Sequence, residues 1–250
     1  MRHSNKDFFA AFGQAAEQNL PPVMVSGRHA FHDRAVPSIV EDVIAKLRPQ
    51  PHGRLLEIGC GLGLILRPLA ALVREAVGID HPSLLHELAR LEPPVNLTLV
   101  PGRFPEAKPA GNFDYIVVYS VLHYMTGADE ARAFVDQCLE LLAPGGRLLI
   151  GDIPNADAQR RFRVSTEAKQ INEEYDEARK ADQKTNSKAY AVKAQIEHNV
   201  VLPPSFLDDQ FALGMLSELR VRGYESYLLP QPPGLPFNMT REDLLIHRRR

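Results

Sequence analysis

Short apolar runs alternate with segments whose apolar residues recur every three or four positions, and this pattern continues over most of the first 153 residues. The runs predict five strands, at residues 54–58, 75–80, 95–100, 111–125 and 147–153. Between the runs, apolar residues at helical spacing predict helices, as at Ile39, Val40, Val43, Ile44 and Leu47. The regular alternation of strands and helices predicts an α/β fold built on a mostly parallel sheet.

The pattern changes near the end of the chain. A helical pattern ends at Gly223, and apolar runs at 225–230 and 242–248 predict two further strands. The turn between these runs is too short to hold a crossover helix. The last two strands must therefore be antiparallel to each other.

Two segments lie outside this regular pattern. The first segment, residues 1–36, contains clustered aromatic residues at Phe8, Phe9 and Phe12. This cluster predicts a helical cap that packs on a main domain at residues 37–250. Residues 157–200 hold nine Lys/Arg and eight Asp/Glu. Their weak apolar stripe consists of Ile171, Tyr175, Tyr190 and Ile196. This mixture favours a solvated helical insertion, as a substrate lid or a homodimer contact, with a disordered loop as the alternative.

Composition narrows the function classes. The 250-residue chain is 44% hydrophobic and 24% charged, with a formal net charge of −2, which gives no electrostatic reason to expect nucleic acid or a membrane as a partner. Cys60 and Cys138 lack partners at metal-ligand spacing, so no disulfide framework and no metal site are expected. The first residues are too polar for a secretory signal, and no apolar stretch reaches membrane-spanning length. We therefore expect a cytoplasmic enzyme.

The candidate chemistry begins where the first strand turns into a helix. The sequence R-L-L-E-I-G-C-G-L-G-L places Gly59, Gly61 and Gly63 at alternate positions directly after the strand. Glycine is needed where the backbone takes positive φ or where a ligand approaches too closely for a Cβ atom. The dinucleotide fingerprint G-x-G-x-x-G would require a third glycine at position 64, where this chain has Leu64.

The spacing E-x-G-x-G-x-G, from Glu57 to Gly63, resembles the first motif of the class I S-adenosylmethionine-dependent methyltransferases. The run L-L-A-P-G-G-R-L-L-I resembles a late motif of that family, and the closing hairpin matches its reversed last strand. The resemblance spans about Val36 to Ile153 and returns at Phe206 to His247. It implies a Rossmann-like sheet of seven strands, mostly parallel with an antiparallel last strand, with helices on both faces. It also implies S-adenosylmethionine as cofactor, held by Glu57 and by the three glycines.

Asp80 ends the second strand, 21 residues after Gly59. A nucleoside-binding α/β fold is expected to offer a carboxylate to the ribose hydroxyls at about this separation along the sequence. A carboxylate suits that role because it only accepts hydrogen bonds and can serve two hydroxyls together. The structural alternative is a helix cap, since Pro82 follows at a favoured first-turn position.

Three further residues are site candidates. The family often has an acid after the third strand for the adenine amino group, but this chain has Arg103, which we expect near the cofactor or on the face of its ring. Ser120 falls at the carboxyl end of the fourth strand, where open α/β sheets bind ligands. His123 is the candidate catalytic base, since an imidazole titrates near neutral pH, although it could equally shape the pocket.

These observations predict methyl transfer from S-adenosylmethionine to an oxygen or nitrogen of a small molecule. The runs Q-P-P-G-L-P and G-D-I-P-N faintly resemble methyltransferases encoded with bacterial surface-sugar pathways, which suggests a sugar or surface-polysaccharide precursor as acceptor. S-V-L-H after the fourth strand replaces the Pro-Pro-aromatic run of nucleic-acid amino-methyltransferases. The alternatives are a non-catalytic adenosyl-binding protein and a nicotinamide-dependent oxidoreductase.

Overall fold

The computed structural model describes residues 6–18, 20–198 and 205–250. It contains one sheet of seven strands in the order β3-β2-β1-β4-β5-β7-β6. The strands are β1 (Arg54–Ile58), β2 (Glu75–Asp80), β3 (Leu97–Pro101), β4 (Phe113–Tyr119), β5 (Leu142–Pro154), β6 (Glu225–Pro230) and β7 (Arg241–His247). β7 runs antiparallel to both β5 and β6, whereas β1 to β5 pair in parallel. The predicted fold class, including the reversed last strand, is confirmed.

Ten α-helices occur within the described residues. The first five are α1 (Lys6–Glu17), α2 (Pro22–Val25), α3 (Val36–Leu47), α4 (Leu66–Ala70) and α5 (Pro82–Arg90). The others are α6 (Ala128–Glu140), α7 (Ala156–Arg163), α8 (Ala168–Thr185), α9 (Ser187–His198) and α10 (Asp209–Val221). Short 3₁₀ turns occupy Ala30–Ala35, Leu122–Tyr124 and Asn238–Thr240.

The helices cover both faces of the sheet. Successive strand residues point to opposite faces, so Leu55 packs with α3, α4 and α5, while Leu56 packs with α6 and α10. Both leucines are fully buried. This two-sided burial explains why the inner strands form nearly continuous apolar runs rather than alternating patterns.

The N-terminal segment and the charged segment pack against each other beside the sheet. A third apolar cluster joins Val23 and Met24 of α2 to Tyr190 and Val192 of α9. The charged segment forms α7, α8 and α9, and its use as a lid or homodimer contact stays a prediction. Residues 1–5 of the predicted cap, residues 199–200 of the insertion and the side chain of Ile196 lie outside the described part of the chain.

Several boundaries differ from the sequence-based expectation. The fourth strand ends at Tyr119 rather than Met125, because Ser120 adopts a left-handed backbone with φ 59° and the chain then forms a 3₁₀ turn. The helix after the glycine turn is limited to α4. The fifth strand begins at Leu142, so the P-G-G sequence lies within an irregular part of β5 rather than in a separate turn.

Candidate functional site

A cavity lies at the carboxyl edge of the sheet, where β1, β2 and β4 end. One side is formed by residues that follow these strands, and the opposite side by α1 and the segment that leads into α3. Six of the seven predicted cofactor residues contribute to its lining: Glu57, Gly59, Gly61, Asp80, Arg103 and Ser120. The sheet topology therefore brings together residues that are up to 63 positions apart in the sequence.

Glu57 is buried at the end of β1, with 3% of its surface exposed. Its Oε2 atom has no hydrogen-bond partner within the described residues. Burial, together with the nearby charge of Asp80, raises the pKa of this carboxyl well above its ordinary value. A buried acid without a partner is costly, so this atom requires a cation or donor from a bound molecule.

Asp80 lies at the end of β2, facing the glycine turn. Its two carboxylate oxygens accept hydrogen bonds from the backbone N–H groups of Gly61 and His81, each at 2.6 Å. Burial raises its pKa, although these two hydrogen bonds oppose the shift. A carboxylate offers about four lone-pair sites, so two remain for a ligand. The cap at the start of α5 belongs instead to His81, whose Nδ1 accepts from the N–H of Ser83.

The three glycines differ in what they make possible. All adopt positive φ, but only at Gly61 would an added Cβ meet no atom within 4 Å, so this position faces open space in the cavity. At Gly59 a Cβ would lie 2.5 Å from Val121. Gly63 lies outside the cavity lining, because a Cβ there would lie 2.8 Å from Leu88 in α5. Gly63 therefore packs against α5, and its cofactor contact stays a prediction that this placement does not favour.

Arg103 follows β3 and packs beside α1. Its guanidinium carbon lies 5.8 Å from the ring centre of Phe9, a cation–π distance. The next residue, Phe104, is buried against Phe134 of α6. These rings form an apolar slot beside the end of β3. An expected contact between Arg103 and an adenine ring stays a prediction.

A polar cluster joins the ends of β4 and β5 to the N-terminal segment. The Ser120 hydroxyl donates to Asp152 at 2.5 Å, and Arg28 donates from Nη2 to both, at 2.8 and 2.9 Å. Asp152, like Ser120, has φ 59°, and it occupies an irregularity in the pairing of β5 with β7. Such bulges redirect side chains and are common beside active sites.

Buried side chains support this cluster from behind. Asp243 of β7 accepts the backbone N–H of Asp152 at 2.8 Å, so the bulge leaves that donor satisfied. Asp243 and Asp42 share the ammonium of Lys46, at 2.6 and 2.5 Å. Burial raises the pKa of Asp243, although Lys46 opposes this. Asp243 thus holds the backbone of Asp152, and Lys46 in turn holds Asp243.

His123 lies in the 3₁₀ turn after β4 but outside the cavity lining. Its ring contacts Tyr124, with ring centres 4.1 Å apart, and its Nδ1 atom is buried without a hydrogen-bond partner among the described residues. Burial, with the positive charges of Arg241 and Arg28, lowers its pKa to about 4. The ring is therefore neutral at physiological pH and is a weaker base than expected. Its catalytic role stays a prediction that this placement does not favour.

Comparison with known proteins places this geometry in context. Residues 56–148, which include the glycine turn and Asp80, match the family model described as a methyltransferase domain. The crystal structure of the N-methyltransferase NodS from Bradyrhizobium japonicum WM9 in complex with S-adenosyl-L-homocysteine has a TM-score of 0.60 and 15% sequence identity, covering 97% of this chain and 98% of that one. The family match thus covers just over a third of the chain, and the whole-chain match is one of fold.

Curated relatives match about half of the chain. Nodulation protein S of Rhizobium tropici is 30% identical over 120 residues, which cover 47% of this chain and 50% of that protein. A ubiquinone biosynthesis O-methyltransferase of Chelativorans sp. (strain BNC1) is 29% identical over 136 residues, which cover 50% and 53%. The match thus spans about half the length of each relative, and the likeness to NodS beyond it is a likeness of fold.

Two residues of the site were missed by the sequence analysis. Asp152 is an acid near the end of a predicted strand, the same signal that identified Asp80, so its position could have been found. Arg28 lies in a segment with no motif, and only the three-dimensional contact with Ser120 and Asp152 reveals it.

None of the helices in the described ranges is long and apolar enough to cross a membrane.

Proposed function

We propose that this protein transfers a methyl group from S-adenosylmethionine to an oxygen or nitrogen atom of a small molecule. The observation that carries the proposal is the buried Glu57 carboxylate, whose Oε2 has no partner within the described chain and lines the same cavity as Asp80 and the open position at Gly61. An α-ammonium group would supply the cation that Glu57 lacks. Ribose hydroxyls would use the two remaining acceptor sites of Asp80.

The other lining residues fit the same cofactor. The missing Cβ at Gly61 leaves room for the aminoacyl portion, and Gly59 allows the turn itself. Arg103 and the slot beside Phe104 fit the adenine ring. Ser120 would meet the cofactor or the acceptor at the end of β4. We assign no cofactor contact to Gly63.

When bound, S-adenosylmethionine supplies a methyl group activated by a sulfonium. The protein then has to align the acceptor and exclude water, and alignment alone is worth about 7–11 kcal/mol in well-oriented systems. The aromatic residues Phe8, Phe9 and Phe12 on α1 line the cavity opposite the sheet and would exclude water. A general base would add about 10²–10⁴-fold, and His123 is neutral as a base must be.

The acceptor is proposed to be a small molecule, since the cavity is enclosed by α1 and by the segment preceding α3. A sugar or surface-polysaccharide precursor remains the suggested class from the sequence. The relatives include an O-methyltransferase and nodulation protein S, so both oxygen and nitrogen acceptors belong in the test. Non-catalytic adenosyl binding is the alternative, and turnover distinguishes it.

Calorimetry with S-adenosylhomocysteine tests the cofactor site, and release of S-adenosylhomocysteine from S-adenosylmethionine across an acceptor panel tests turnover. Gly61→Arg fills the open position and should abolish binding. Gly127→Arg is the matched control, because Gly127 has an extended backbone and no atom within 4 Å of its Cβ position, yet lies outside the cavity lining. Absence of binding by the wild type would refute the proposal. Binding without turnover would favour the non-catalytic alternative.

A further inference from the structure

Arg28 is the charged residue that the N-terminal segment contributes to the cavity lining. Its side chain is mostly buried, with 12% of its surface exposed. It comes from a tight turn after α2, in which Gly27 has φ 85°. The residue lies beside the end of β4, away from the ends of β1 and β2, where the proposed cofactor would lie. It therefore belongs to the acceptor side of the cavity.

The guanidinium group of Arg28 retains unused donors. Nη2 makes both strong hydrogen bonds, to Ser120 and Asp152, whereas Nη1 makes only a 3.5 Å contact with Ser26 and Nε makes none within the described residues. A guanidinium has five N–H donors in a fixed fork, so about three remain. The Arg28 guanidinium is thus held at one end and keeps N–H donors along another edge. This arrangement suits the binding of an anion through two hydrogen bonds.

Arg28 also shares its carboxylate partner with a second arginine. Asp152 is the partner of Arg28 at 2.9 Å, but the same carboxylate lies 3.8 Å from Nε of Arg241, and the backbone carbonyl of Asp152 accepts from Arg241 at 3.2 Å. The carboxylate of Asp152 therefore does not occupy all the donors of Arg28.

The helical insertion holds Arg28 in place from the opposite side. Lys193 of α9, itself buried, donates to the backbone carbonyls of Gly27 and Arg28 at 2.9 and 2.7 Å. Asp182 of α8 accepts the N–H of Phe31 at 3.1 Å. These contacts fix the backbone on both sides of Arg28. The guanidinium is therefore pre-organised, which reduces the entropic cost of binding a ligand.

The rest of this side of the cavity is mostly apolar, although Ser26, Tyr119 and Tyr124 also line it. Its apolar residues are Phe12, Val23, Val25, Val36 and Ile39. Apolar pockets with a few well-placed polar groups select ligands by shape and by one or two polar contacts. Arg28 is such a contact.

We propose that Arg28 binds an anionic group, a carboxylate, phosphate or phosphonate, on an acceptor that also has an apolar portion. This inference rests on the proposed function, because the cofactor must occupy the ends of β1 to β3 for this side of the cavity to receive the acceptor. Ser120 and Asp152 orient the guanidinium and do not themselves bind the anion. Lys193 and Asp182 are positioning residues.

The test uses the full chain saturated with S-adenosylhomocysteine and a panel of matched ligand pairs, each an alkyl or aryl carboxylate or phosphonate with its neutral amide or ester, such as phenylacetate with phenylacetamide. Calorimetry or ligand-observed NMR measures the affinity ratio within each pair. At least one acid should bind the wild type more tightly than its neutral partner. Arg28→Gln should weaken that acid about 10- to 100-fold and leave the neutral partner unchanged, since charge-assisted hydrogen bonds are lost.

Arg34→Gln is the matched control, because Arg34 is exposed on the adjacent 3₁₀ turn and lies outside this cavity. If Arg28→Gln no longer binds S-adenosylhomocysteine, Arg28→Lys replaces it and should retain part of the acid preference, since it keeps the charge and loses the fork. Failure of the wild type to bind S-adenosylhomocysteine overturns the proposed function. Normal cofactor binding without acid preference in any pair, or with a preference that survives Arg28→Gln, overturns this inference alone.

Discussion

The substitution Glu57→Gln tests two effects of the buried carboxyl group: its cost to the stability of the unliganded protein and its contribution to cofactor affinity. The substitution keeps the size of the side chain and replaces Oε2, the oxygen without a partner in the described residues, by an amide nitrogen. The carboxylate can attract an ammonium group, whereas the amide cannot. The variant should therefore bind S-adenosylhomocysteine more weakly, while the unliganded protein becomes more stable at neutral pH.

The stability effect follows from proton linkage. Burial raises the pKa of Glu57 above its ordinary value of about 4.5, so the folded state binds more protons than the unfolded state between these two pKa values. Stability is then lost as pH rises through the folded-state pKa, and each pKa unit corresponds to about 1.4 kcal/mol. The stability difference between Glu57→Gln and wild type should thus grow as pH rises above about 4.5. Chemical denaturation over a pH series measures it.

The binding effect is measured by calorimetry in buffers of different ionisation enthalpy. An ammonium group beside Glu57 favours the charged carboxylate, so cofactor binding should release a proton at pH values between the pKa of Glu57 in the complex and its raised pKa in the free protein. In Glu57→Gln this buffer dependence should disappear, and affinity should fall about 10- to 100-fold, the equivalent of a charge-assisted hydrogen bond of about 1.5–3 kcal/mol. Glu75→Gln is the control, because Glu75 pairs with Arg54 at the start of β2, away from the cavity.

Two results would refute this reasoning. Equal affinities for wild type and Glu57→Gln would mean that the carboxylate does not contact the ligand's cation. Stability curves that stay parallel across pH would mean that Glu57 is not protonated in the free protein. Loss of affinity in Glu75→Gln as well would point to a general effect on the sheet.

Three further predictions follow from the same contacts. Asp80→Asn should bind S-adenosylhomocysteine more weakly, as measured by calorimetry, and unchanged affinity would argue against ribose binding. The same substitution should lower the free energy of unfolding by about 1–3 kcal/mol, because the carboxylate accepts the N–H groups of Gly61 and His81. Lys46→Met should destabilise the protein by about 3–5 kcal/mol in denaturant titration, because two buried carboxylates lose their shared cation, and a loss below 1 kcal/mol would contradict this pairing. The pH–rate profile of methyl transfer should show no limb near pH 6.5 that depends on His123, whose pKa is lowered to about 4; such a limb, abolished in His123→Gln, would establish this residue as the base.

The cofactor side of the cavity was largely predictable from sequence because its determinants are local. Glu57 and the glycines follow one strand, and Asp80 ends the next, so strand pairing alone brings them together. Gly63 lies outside the cavity lining, and a glycine motif does not show which positive-φ residue faces a ligand and which faces a neighbouring helix. That distinction depends on Leu88, which approaches from α5.

The acceptor side was less predictable because its contacts join distant parts of the chain. Arg28 meets Asp152 across 124 positions, and Lys193 meets Gly27 across 166. Side-chain pairs of this kind leave no periodic signal. The extent of β5 was also underestimated, since the irregular pairing with β4 around the P-G-G sequence does not end the strand.

The residues around Arg28 lie outside the part of the chain that matches the family model. The family match covers residues 56–148, which supply Glu57 and Asp80, whereas Arg28, Asp152 and Lys193 all lie outside it. The segment around Arg28 is held by α8 and α9, so the charged insertion contributes to the acceptor side through the backbone it fixes rather than by entering the cavity. A relative that matches this chain only in that region therefore need not share its acceptor. Acceptor identity has to be determined from the residues that surround Arg28.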